Sequence, residues 1–233
     1  MITVSIVSHG HGAMTTAALK DALASKLVSR VILTFNISED VYIPDDNRVI
    51  VIRNLRKRGF ASNHNQAFAL CNTNYFCVMN PDVRFGKEVY ESLISALTIN
   101  QVAIAAPLIV GKLGNVEDSA RYFPSIGRLL KKLIFGSKGK FPNSYKNIVE
   151  PDWVAGMFMM FRSSIFKEIC GFDEKYFLYY EDVDICKRVR NKNLTVVLCS
   201  DVKVSHYAQR KSHKSSTYAL IHLRSMFRYL ILH

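Results

Sequence analysis

Short apolar strands alternate with helical stretches through the first half of this chain, and this alternation limits the fold more than any other feature. The strand patterns lie at Val4–Val7, Arg30–Phe35, Val49–Arg53 and Tyr75–Met79, and the helical patterns at 13–27, 62–71 and 86–97. Strands and helices in this order predict an α/β fold with a Rossmann-like, mostly parallel sheet covered by helices on both faces. Ligands of such sheets bind at the carboxyl ends of the strands.

The second half of the chain resumes this pattern after a long interruption. Segment 111–150 is rich in Gly, Lys, Pro and Ser and has no clear period, so we expect a functional loop there. The other elements predicted are strands at 102–110, 153–161 and 195–200, helices near 163–169 and 181–191, and a C-terminal helix from about Ser215. A chain of 233 residues with 49% apolar content is large enough for one domain with a full core.

Composition also indicates where the protein works. No stretch approaches the roughly 20 apolar residues that cross a bilayer, and Met1 to Val7 alternate as a strand rather than forming a signal peptide. We therefore expect a protein inside the cell that is soluble or peripheral on a membrane. The five cysteines form no CxxC pair, which indicates reduced core thiols rather than disulfides or a zinc site.

Positive charge is concentrated in two segments of the chain. The net charge is +12, and residues 121–147 carry seven Lys or Arg and no acid, while residues 203–233 carry six and no acid. Two basic surfaces favour an anionic partner. Nucleic acid, an anionic membrane face and a phosphate-bearing substrate all fit this charge, which by itself does not choose among them.

Three carboxylates follow an aromatic run beside a glycine-interrupted apolar strand. They are Glu181, Asp182 and Asp184, and the apolar run Tyr176–Tyr180 directly precedes them. Carboxylates that emerge from an apolar wall have pKa values sensitive to their neighbours, which is typical of catalytic sites. Acids in the first turn of a helix are also favoured by its dipole, so a structural explanation stays open.

One carboxylate, Asp82, follows a buried strand in the sequence Met79-Asn-Pro-Asp-Val83. Pro81 ends the strand and turns Asp82 toward the crevice at the carboxyl ends. Hard cations such as Mg²⁺ commonly use one or two carboxylates together with substrate phosphate oxygens. Asp82 is therefore either a ligand of a divalent ion or an ordinary turn residue.

A basic, glycine-containing turn at Arg56–Asn65 runs into a helix N-terminus. Backbone N–H groups and cations in such a turn bind phosphate, although the segment lacks the Walker pattern and the GxGxxG fingerprint. The structural alternative is a capped helix with Ser62 or Asn63 as its N-cap.

Histidines at two strand ends and the C-terminal stretch each allow two interpretations. His9 and His11 follow the first strand without other ligands at metal spacing, which is more typical of a polar loop than of a metal site. His206 follows an apolar strand and is either a partner of Asp82 around one metal or a satisfied histidine. Tyr218–Leu232 is either an interfacial helix with two arginines or a helix packed on the core.

Taken in order, these motifs resemble glycosyltransferase family 2, especially its bacterial rhamnosyltransferase-like members, over residues 2–210. The most specific segments are Gly59-Phe-Ala-Ser-Asn-His-Asn65, Asn80-Pro-Asp-Val83, Trp153-Val-Ala-Gly156 and Gly171-Phe-Asp-Glu-Lys-Tyr-Phe-Leu-Tyr-Tyr-Glu-Asp-Val-Asp184. The resemblance implies a GT-A fold and an inverting transfer from a nucleotide-diphospho-sugar to an acceptor hydroxyl. It also implies that Asp82 and His206 hold Mg²⁺ or Mn²⁺ on the diphosphate of the donor.

The same resemblance implies a catalytic group in the acidic motif. Asp182 is similar to the family's catalytic base, with Glu181 and Asp184 beside it in the same cluster. One displacement with inversion needs a base and a stabilised leaving group but no enzyme nucleophile. Gly156 has no side chain and would leave room for a sugar against the backbone.

The residues that the resemblance places around the donor are Ser8, His9, Asn36, Arg58, Gly59, Asn65, Asn80, Asp82 and Gly156. The chain departs from the family at the nucleobase, where the family usually has a Tyr or Asn after the first strand and an Asp-Asn pair after the second. This sequence has Ser8-His9-Gly10 and Thr34-Phe35-Asn36 there. We hypothesise that His9 or Asn36 makes the base contact.

The resemblance divides the chain into a GT-A domain at 1–210 and a basic amphipathic C-terminal helix at 211–233. Within the domain, about 1–110 would bind the donor and about 111–210 the acceptor. The basic segments suit a lipid-linked acceptor such as a polyprenyl-diphosphate oligosaccharide, presented at an anionic, cytoplasmic face of the inner membrane. Synthesis of a bacterial cell-surface polysaccharide, O-antigen or capsule, would use such a step.

Two other classes of protein compete with this interpretation. A basic nucleic-acid-binding protein would explain the charge, but the chain has no recognisable nucleic-acid-binding module. A catalytically silent subunit that binds sugar nucleotides would explain the motifs without turnover, although Asp82 and Asp182 are both present. The substitution Asp182→Asn separates these classes, because an enzyme loses turnover and keeps its donor affinity.

Overall fold

The computed structural model describes residues 1–128, 147–207 and 216–233. Its strands are β1 (Ile2–Ser8), β2 (Val28–Phe35), β3 (Val49–Arg53), β4 (Tyr75–Met79), β5 (Val83–Arg84), β6 (Val102–Gly111), β7 (Ala120–Arg121), β8 (Ile148–Val149), β9 (Trp153–Val154), β10 (Phe158–Arg162) and β11 (Thr195–His206). Its helices are α1 (Ala13–Leu23), α2 (Phe60–Phe68), α3 (Glu88–Leu97), α4 (Ser163–Glu168), α5 (Glu181–Arg190) and α6 (Ser216–Leu232).

The central sheet has the strand order β3-β2-β1-β4-β10-β6-β11-β5, with β8 pairing to β11. The first four strands in this order are parallel, as the alternating pattern predicts. β10 is antiparallel to both of its neighbours, so the sheet as a whole is mixed. The chain reaches β10 from the edge where β4 ends, where the N–H of Asn80 donates to the carbonyl of Met157 at 2.9 Å. A strand that starts at that edge has to run against β4.

Helices cover both faces of this sheet. One core cluster joins α1 and α3 to side chains such as Ile6, Met79 and Val197. The second cluster joins α2, α4 and α5 to the opposite face, where Phe166 contacts several other phenylalanine rings at centroid distances of 4.5–5.4 Å. Burial of these apolar side chains on both faces is the main source of stability.

The boundaries of several elements differ from those that the sequence predicts. The strand predicted at 153–161 is two strands, β9 and β10, which lie in different sheets because residues 155–157 interrupt the pairing. The predicted N-cap of α2 at Ser62 or Asn63 is wrong, because α2 begins at Phe60 with Gly59 as its N-cap. The strand predicted at 195–200 continues to His206, since a register shift between Cys199 and Lys203 lets β11 bend and keep pairing with β6.

The predicted loop 111–150 contains the short strands β7 and β8, and its residues 129–146 lie outside the described ranges. β7 pairs with β9 in a separate two-stranded ribbon. The predicted domain boundary at 210 lies between the described ranges, in 208–215, and stays a prediction. None of the helices in the described ranges combines the length and hydrophobicity that spanning a bilayer requires.

Candidate active site

The acidic side chains from the two halves of the chain converge where β4 ends and β10 begins. The N–H of Gly156 donates to Oδ2 of Asp182 at 3.0 Å. The next residue, Met157, accepts a hydrogen bond from the N–H of Asn80 at 2.9 Å, and Asn80 stands two residues before Asp82. Backbone contacts at one strand junction therefore bring Asp82 and Asp182 to the same edge of the sheet.

Asp82 lies beside His206 because β5 pairs with the end of β11. Val83 is opposite His206 in this pairing, and Nε2 of His206 lies 3.4 Å from Oδ2 of Asp82. The other ring nitrogen, Nδ1, contacts Oε2 of Glu117 at 2.7 Å. Glu117 reaches this position because its N–H pairs with the carbonyl of Ile109 at the end of β6. The three side chains form one buried or half-buried polar row.

The charges in this row reinforce each other. Burial opposes ionisation of Asp82, but the hydrogen bond and positive charge of His206 outweigh it and lower the pKa of Asp82. Burial alone would lower the pKa of His206. The hydrogen bonds that its ring donates to Asp82 and Glu117 outweigh this effect, so the net change in the pKa of His206 is a rise. The row therefore favours an anionic Asp82 beside a cationic imidazole.

The fit of this site to a divalent ion depends on the remaining oxygen of Asp82. Asp82 is only 8% exposed, and its Oδ1 is buried without a hydrogen-bond partner among the residues that the structure describes. A buried carboxylate oxygen next to an imidazole is a donor set that Mn²⁺ and Mg²⁺ accept when substrate oxygens complete the coordination. In the described part of the chain, no three or more His, Cys, Asp and Glu side chains are already arranged as a complete metal site.

Asp182 is held by backbone donors in the first turn of α5. Its Oδ1 accepts a hydrogen bond from the N–H of Val183 at 2.9 Å, in addition to the one from Gly156. Burial raises the pKa of Asp182, and these N–H donors offset only part of the rise. Its side chain is half-buried. A carboxylate with a fixed direction and a raised pKa has the properties of a general base.

Glu181 and Asp184 lie in different surroundings from Asp182. Glu181 is 5% exposed, and its Oε2 has no hydrogen-bond partner in the described part of the chain. Burial, together with the charge of Asp182, raises the pKa of Glu181 far above the usual range. Asp184 is paired instead, with Arg188 at 2.8 Å and with Nε2 of His233 at 2.9 Å. Its predicted catalytic role stays a prediction, and its contacts are those of a structural carboxylate.

Two consecutive tyrosines in left-handed backbone conformation lead into α5. Tyr179 has φ 69° and Tyr180 has φ 68°. Tyr180 is the N-cap of α5, and its carbonyl accepts the hydrogen bond from the N–H of Asp184 that starts the helix. Non-glycine residues in this region cost roughly 1–2 kcal/mol each, so the surrounding packing has to hold this turn in place.

On the donor side, the structure brings together the polar residues predicted at the ends of β1 and β2. The side-chain nitrogens of His9 and Asn36 lie 3.3 Å apart. Asn36 is buried and pairs with both backbone groups of Arg58, at 2.8 Å and 2.9 Å. Ser8 is buried, with its hydroxyl 2.8 Å from that of Thr15. The role of these residues toward a nucleobase stays a prediction.

The glycine-containing turn predicted to bind phosphate packs against the acidic segment. A Cβ at Gly59 would stand 2.5 Å from the carbonyl oxygen of Phe177, and the N–H of Phe60 donates to that carbonyl at 3.0 Å. The amide of Asn65 pairs with both backbone groups of Phe172, at 2.8 Å and 2.9 Å. These contacts explain Gly59 and Asn65 as packing residues, and a donor contact for either stays a prediction.

Three charged residues at the site carry no signal in the sequence that singles them out. Glu117 contacts His206 although 89 positions separate them. Glu39 accepts hydrogen bonds at 3.1 Å from the N–H groups of Gly10 and Gly12 and so shapes the loop after β1. Arg121 stands near Asp182 and its positive charge lowers the pKa of that carboxyl. Glu39 and Glu117 lie in loops and Arg121 in the two-residue strand β7, so none of the three belongs to a periodic pattern long enough to identify it.

Solved structures with the same architecture identify the fold. The chain superposes on GalNAc-T7, solved with UDP, GalNAc and Mn²⁺, with a TM-score of 0.70 at 14% identity, over 91% of this chain and 44% of that one. It superposes on the mannosyltransferase PcManGT from Pyrobaculum calidifontis, solved with GDP-Man and Mn²⁺, with a TM-score of 0.67 at 12% identity, over 100% of this chain and 64% of that one. The fold is the GT-A fold of glycosyltransferases, as the resemblance implies.

The sequence comparison then gives the family. The profile of Glycosyl transferase family 2 matches residues 34–169, and the chain belongs to this family. It is 25% identical to the rhamnosyltransferase WbbL of Escherichia coli K12, over 99% of this chain and 92% of that protein. A second relative is the N-acetylglucosaminyl-diphospho-decaprenol L-rhamnosyltransferase of Mycobacterium tuberculosis, with 29% identity. The match covers 64% of this chain and 51% of the mycobacterial protein.

Proposed function

We propose that this glycosyltransferase moves a hexose or rhamnose from a nucleotide-diphospho-sugar to a hydroxyl of a lipid-linked glycan, with inversion at the anomeric carbon. The observation that carries the proposal is the position of Asp182. Its carboxylate is fixed by two backbone N–H groups, its pKa is raised, and it stands at the same strand junction as Asp82. A nucleic-acid-binding protein has no use for this arrangement.

The reaction that fits this site is a single displacement. The acceptor oxygen forms a bond to the anomeric carbon while the bond from that carbon to the diphosphate oxygen breaks, and the diphosphate leaves with the electron pair. Asp182 takes the proton from the acceptor hydroxyl. Gly156 lets the backbone approach Asp182 closely, since a Cβ there would stand 3.1 Å from the ring of Phe60, a tight contact, and 3.7 Å from the Cβ of Asp182. Room for a sugar against this glycine stays a prediction.

The proposed metal site consists of Asp82 and His206. A Mn²⁺ or Mg²⁺ ion would neutralise charge on the diphosphate of the donor. Asp82 would offer its unpartnered Oδ1, and His206 would offer Nε2 after losing its proton. Glu117 would then keep the imidazole oriented through Nδ1, as second-sphere carboxylates do for metal-bound histidines.

The first experiment measures donor binding as thermal stabilisation. A panel of uridine-, thymidine- and guanosine-diphospho-sugars is tested with and without Mn²⁺ on the wild-type protein, on Asp82→Asn and on Asp40→Asn, a control at an exposed carboxylate. A donor at 100 times its Kd should raise Tm by about 5–10 °C. We expect one donor to do so with Mn²⁺ in the wild type and the control only. No shift with any donor would contradict the proposal.

The second experiment tests Asp182 with the donor found in this way. Asp182→Asn should keep the donor affinity and lose about 10²–10⁴-fold in kcat, which is the usual contribution of a general base. The product of the wild-type enzyme should have the anomeric configuration opposite to that of the donor. Full turnover by Asp182→Asn, or retention of configuration, would show that the base is another group.

The proposed acceptor is a sugar on a polyprenyl diphosphate, used for a cell-surface polysaccharide such as O-antigen or capsule. The name of the mycobacterial relative states a diphospho-decaprenol acceptor, and the basic segments of this chain suit such an anion. The outward face of α6 supports a membrane contact. Four apolar side chains at helical spacing lie there, namely Leu220 (67% exposed), Leu223 (46%), Phe227 (60%) and Ile231 (82%).

The proposed partner of this face is an anionic bilayer. Apolar side chains on one face of a helix, within a segment of six Lys or Arg and no acid, are typical of helices that lie in a membrane interface. The test is sedimentation with vesicles that contain phosphatidylglycerol, compared with phosphatidylcholine alone, at low and high salt. Binding should require the anionic lipid and fall with salt, because each Lys or Arg near the surface contributes about 1 kcal/mol.

Substitutions on α6 define the contact. Phe227→Ser and Ile231→Ser should release the protein from these vesicles, and Ala219→Ser, also on the exposed part of the helix, should not. A dimer in solution that the same substitutions dissociate, without vesicle binding, would assign the face to a second copy of the chain and contradict the membrane proposal.

A further inference from the structure

The inward face of α6 contacts the segment that leads into α5. The ring of His222 lies 5.3 Å from that of Tyr179 and 5.4 Å from that of Tyr180, in edge-to-face geometry. One turn further along the helix, the buried hydroxyl of Ser225 donates to the carbonyl of Leu178 at 2.9 Å. These contacts hold the backbone and the rings of the left-handed turn from one side.

The contacts continue along the same face of the helix. The buried ring of Tyr229 packs on that of Tyr180 at 5.6 Å, Arg228 pairs with Asp173 at 2.6 Å, and His233 contacts Asp184 at 2.9 Å. The positions 222, 225, 229 and 233 recur every three or four residues, which is the spacing of one helix face. Each of these four residues has a contact within residues 178–184, which surround Asp182.

The turn that receives these contacts needs external support. Tyr179 and Tyr180 adopt a conformation that L-residues with large side chains rarely take. Tyr180 is also the N-cap of α5, where the described structure shows no side-chain capping hydrogen bond. Its conformation sets the start of the first turn of α5, and Asp182 is the second residue of that turn. A change in the turn therefore changes the direction of Asp182 relative to Gly156.

We infer that α6 is a positioning element for the base, and that Tyr229 and Ser225 keep Asp182 aimed at the acceptor by holding the Tyr179–Tyr180 turn. The inference rests on the proposed role of Asp182. It adds a function for a helix outside the part of the chain that the family profile matches, residues 34–169. The inward face of α6 would act on the chemistry, whereas its outward face would meet the membrane.

The test compares aromatic residues on opposite faces of α6. Tyr229→Leu removes the ring that packs on Tyr180, and Tyr229→Phe keeps it. Phe227→Leu is the matched control, because it removes a ring from the exposed face and leaves that face apolar. Ser225→Ala is a second, smaller change that removes only the hydrogen bond to Leu178, and it serves where Tyr229→Leu does not fold.

The first readout is steady-state kinetics with the donor identified by thermal stabilisation. Tyr229→Leu and Ser225→Ala should lower kcat at least tenfold and leave KM for the donor within twofold, because the donor binds at the ends of β1, β2 and β4. Tyr229→Phe should match the wild type, and so should Ile99→Ala, the control for turnover, which truncates an exposed side chain before the start of β6; Phe227→Leu is the control for the second readout. A kcat that stays at the wild-type value in Tyr229→Leu or Ser225→Ala would overturn the inference and leave α6 as a cover of the core.

The second readout is independent of turnover. Trp153 is the single tryptophan of the chain, and, like Tyr180, it packs against the buried cluster that contains Tyr229. The fluorescence of Trp153 is titrated with pH in the wild type, in the α6 variants and in Asp182→Asn. The comparison with Asp182→Asn identifies the contribution of Asp182 to the titration. The other titratable or charged groups that face Asp182 are Glu181, Arg121 and Tyr180.

The two readouts separate the two proposals. The titration step that is missing in Asp182→Asn is the step of Asp182. In Tyr229→Leu this step should move to lower pH, because a loosened turn exposes the carboxylate to water. In Phe227→Leu it should not move. An unmoved midpoint would overturn the positioning role even if no donor is found. A moved midpoint without turnover by the wild type on any donor would support the positioning role and contradict the transferase proposal.

Discussion

The substitution Gly59→Ala tests whether this glycine serves packing before it serves any ligand. Gly59 has φ −70° and ψ 165°, a conformation that alanine adopts freely, so backbone strain is not the issue. The added Cβ would stand 2.5 Å from the carbonyl oxygen of Phe177 and 2.9 Å from its Cα. Contacts of this kind are comfortable at about 3.5 Å, so one backbone has to move by roughly 1 Å.

The size of the effect follows from three contributions. Overpacking of this kind costs about 1–3 kcal/mol. The movement also breaks the 3.0 Å hydrogen bond from the N–H of Phe60 to Phe177, which costs about 0.5–1.5 kcal/mol. Alanine restricts the unfolded chain and returns about 0.4–1 kcal/mol. The free energy of unfolding should therefore fall by roughly 0.5–4 kcal/mol.

The assay is urea unfolding followed by circular dichroism, without donor or metal. Gly127→Ala is the control, because its Cβ would meet no atom of the described residues within 4 Å. Gly59→Ala should unfold at lower urea than both the wild type and this control. A midpoint equal to that of the wild type would refute the packing argument and return Gly59 to a role at the phosphates alone.

Three further predictions concern pH. Burial and the charge of Asp182 raise the pKa of Glu181, so ionisation of Glu181 disfavours the folded state. The variant Glu181→Gln should therefore gain stability over the wild type as the pH rises above about 4.3. Thermal melts at several pH values check this, with Glu91→Gln, at an exposed side chain, as the control. Burial lowers the pKa of His64 to about 3, so stability should fall by about 1.4 kcal/mol per unit as pH drops below 6.5, and His64→Asn should flatten this loss in acid unfolding curves. Turnover should rise with pH to a midpoint above the ordinary aspartate value, because the proposed base Asp182 has a raised pKa. An activity limb at the ordinary value near 3.9 would assign the base to another group.

The sequence predicts those parts of the site that follow directly from buried strands. The strand Tyr75–Met79 ends at its predicted residue, and the parallel pairing of β1, β2 and β4 puts the residues that follow them at one edge. Asp82, His9 and Asn36 are found there because strand ends in a parallel sheet coincide whatever the side chains are.

The sequence does not predict contacts between distant loops. Gly59 is the N-cap of α2 because a backbone 118 positions away, at Phe177, approaches it, and local capping preferences carry no information about that approach. The left-handed turn at Tyr179 and Tyr180 is missed for the same reason. Tyrosine rarely adopts this conformation, and the packing that enforces it comes from α6, more than 40 residues further along the chain.

The antiparallel position of β10 sets the distance between the two acidic sites. Phe158 pairs with Met79. Just outside this pair, the N–H of Asn80 donates to Met157 and the N–H of Gly156 donates to Asp182, while Asp82 follows Asn80 by two residues. Successive residues of a strand are about 3.3 Å apart, so a one-residue insertion between 157 and 162 would displace one carboxylate from the other by about the length of a hydrogen bond and invert the faces of β10. The spacing of the two proposed catalytic groups is thus encoded as a count of backbone positions, which tolerates exchange of core side chains and does not tolerate a change in length.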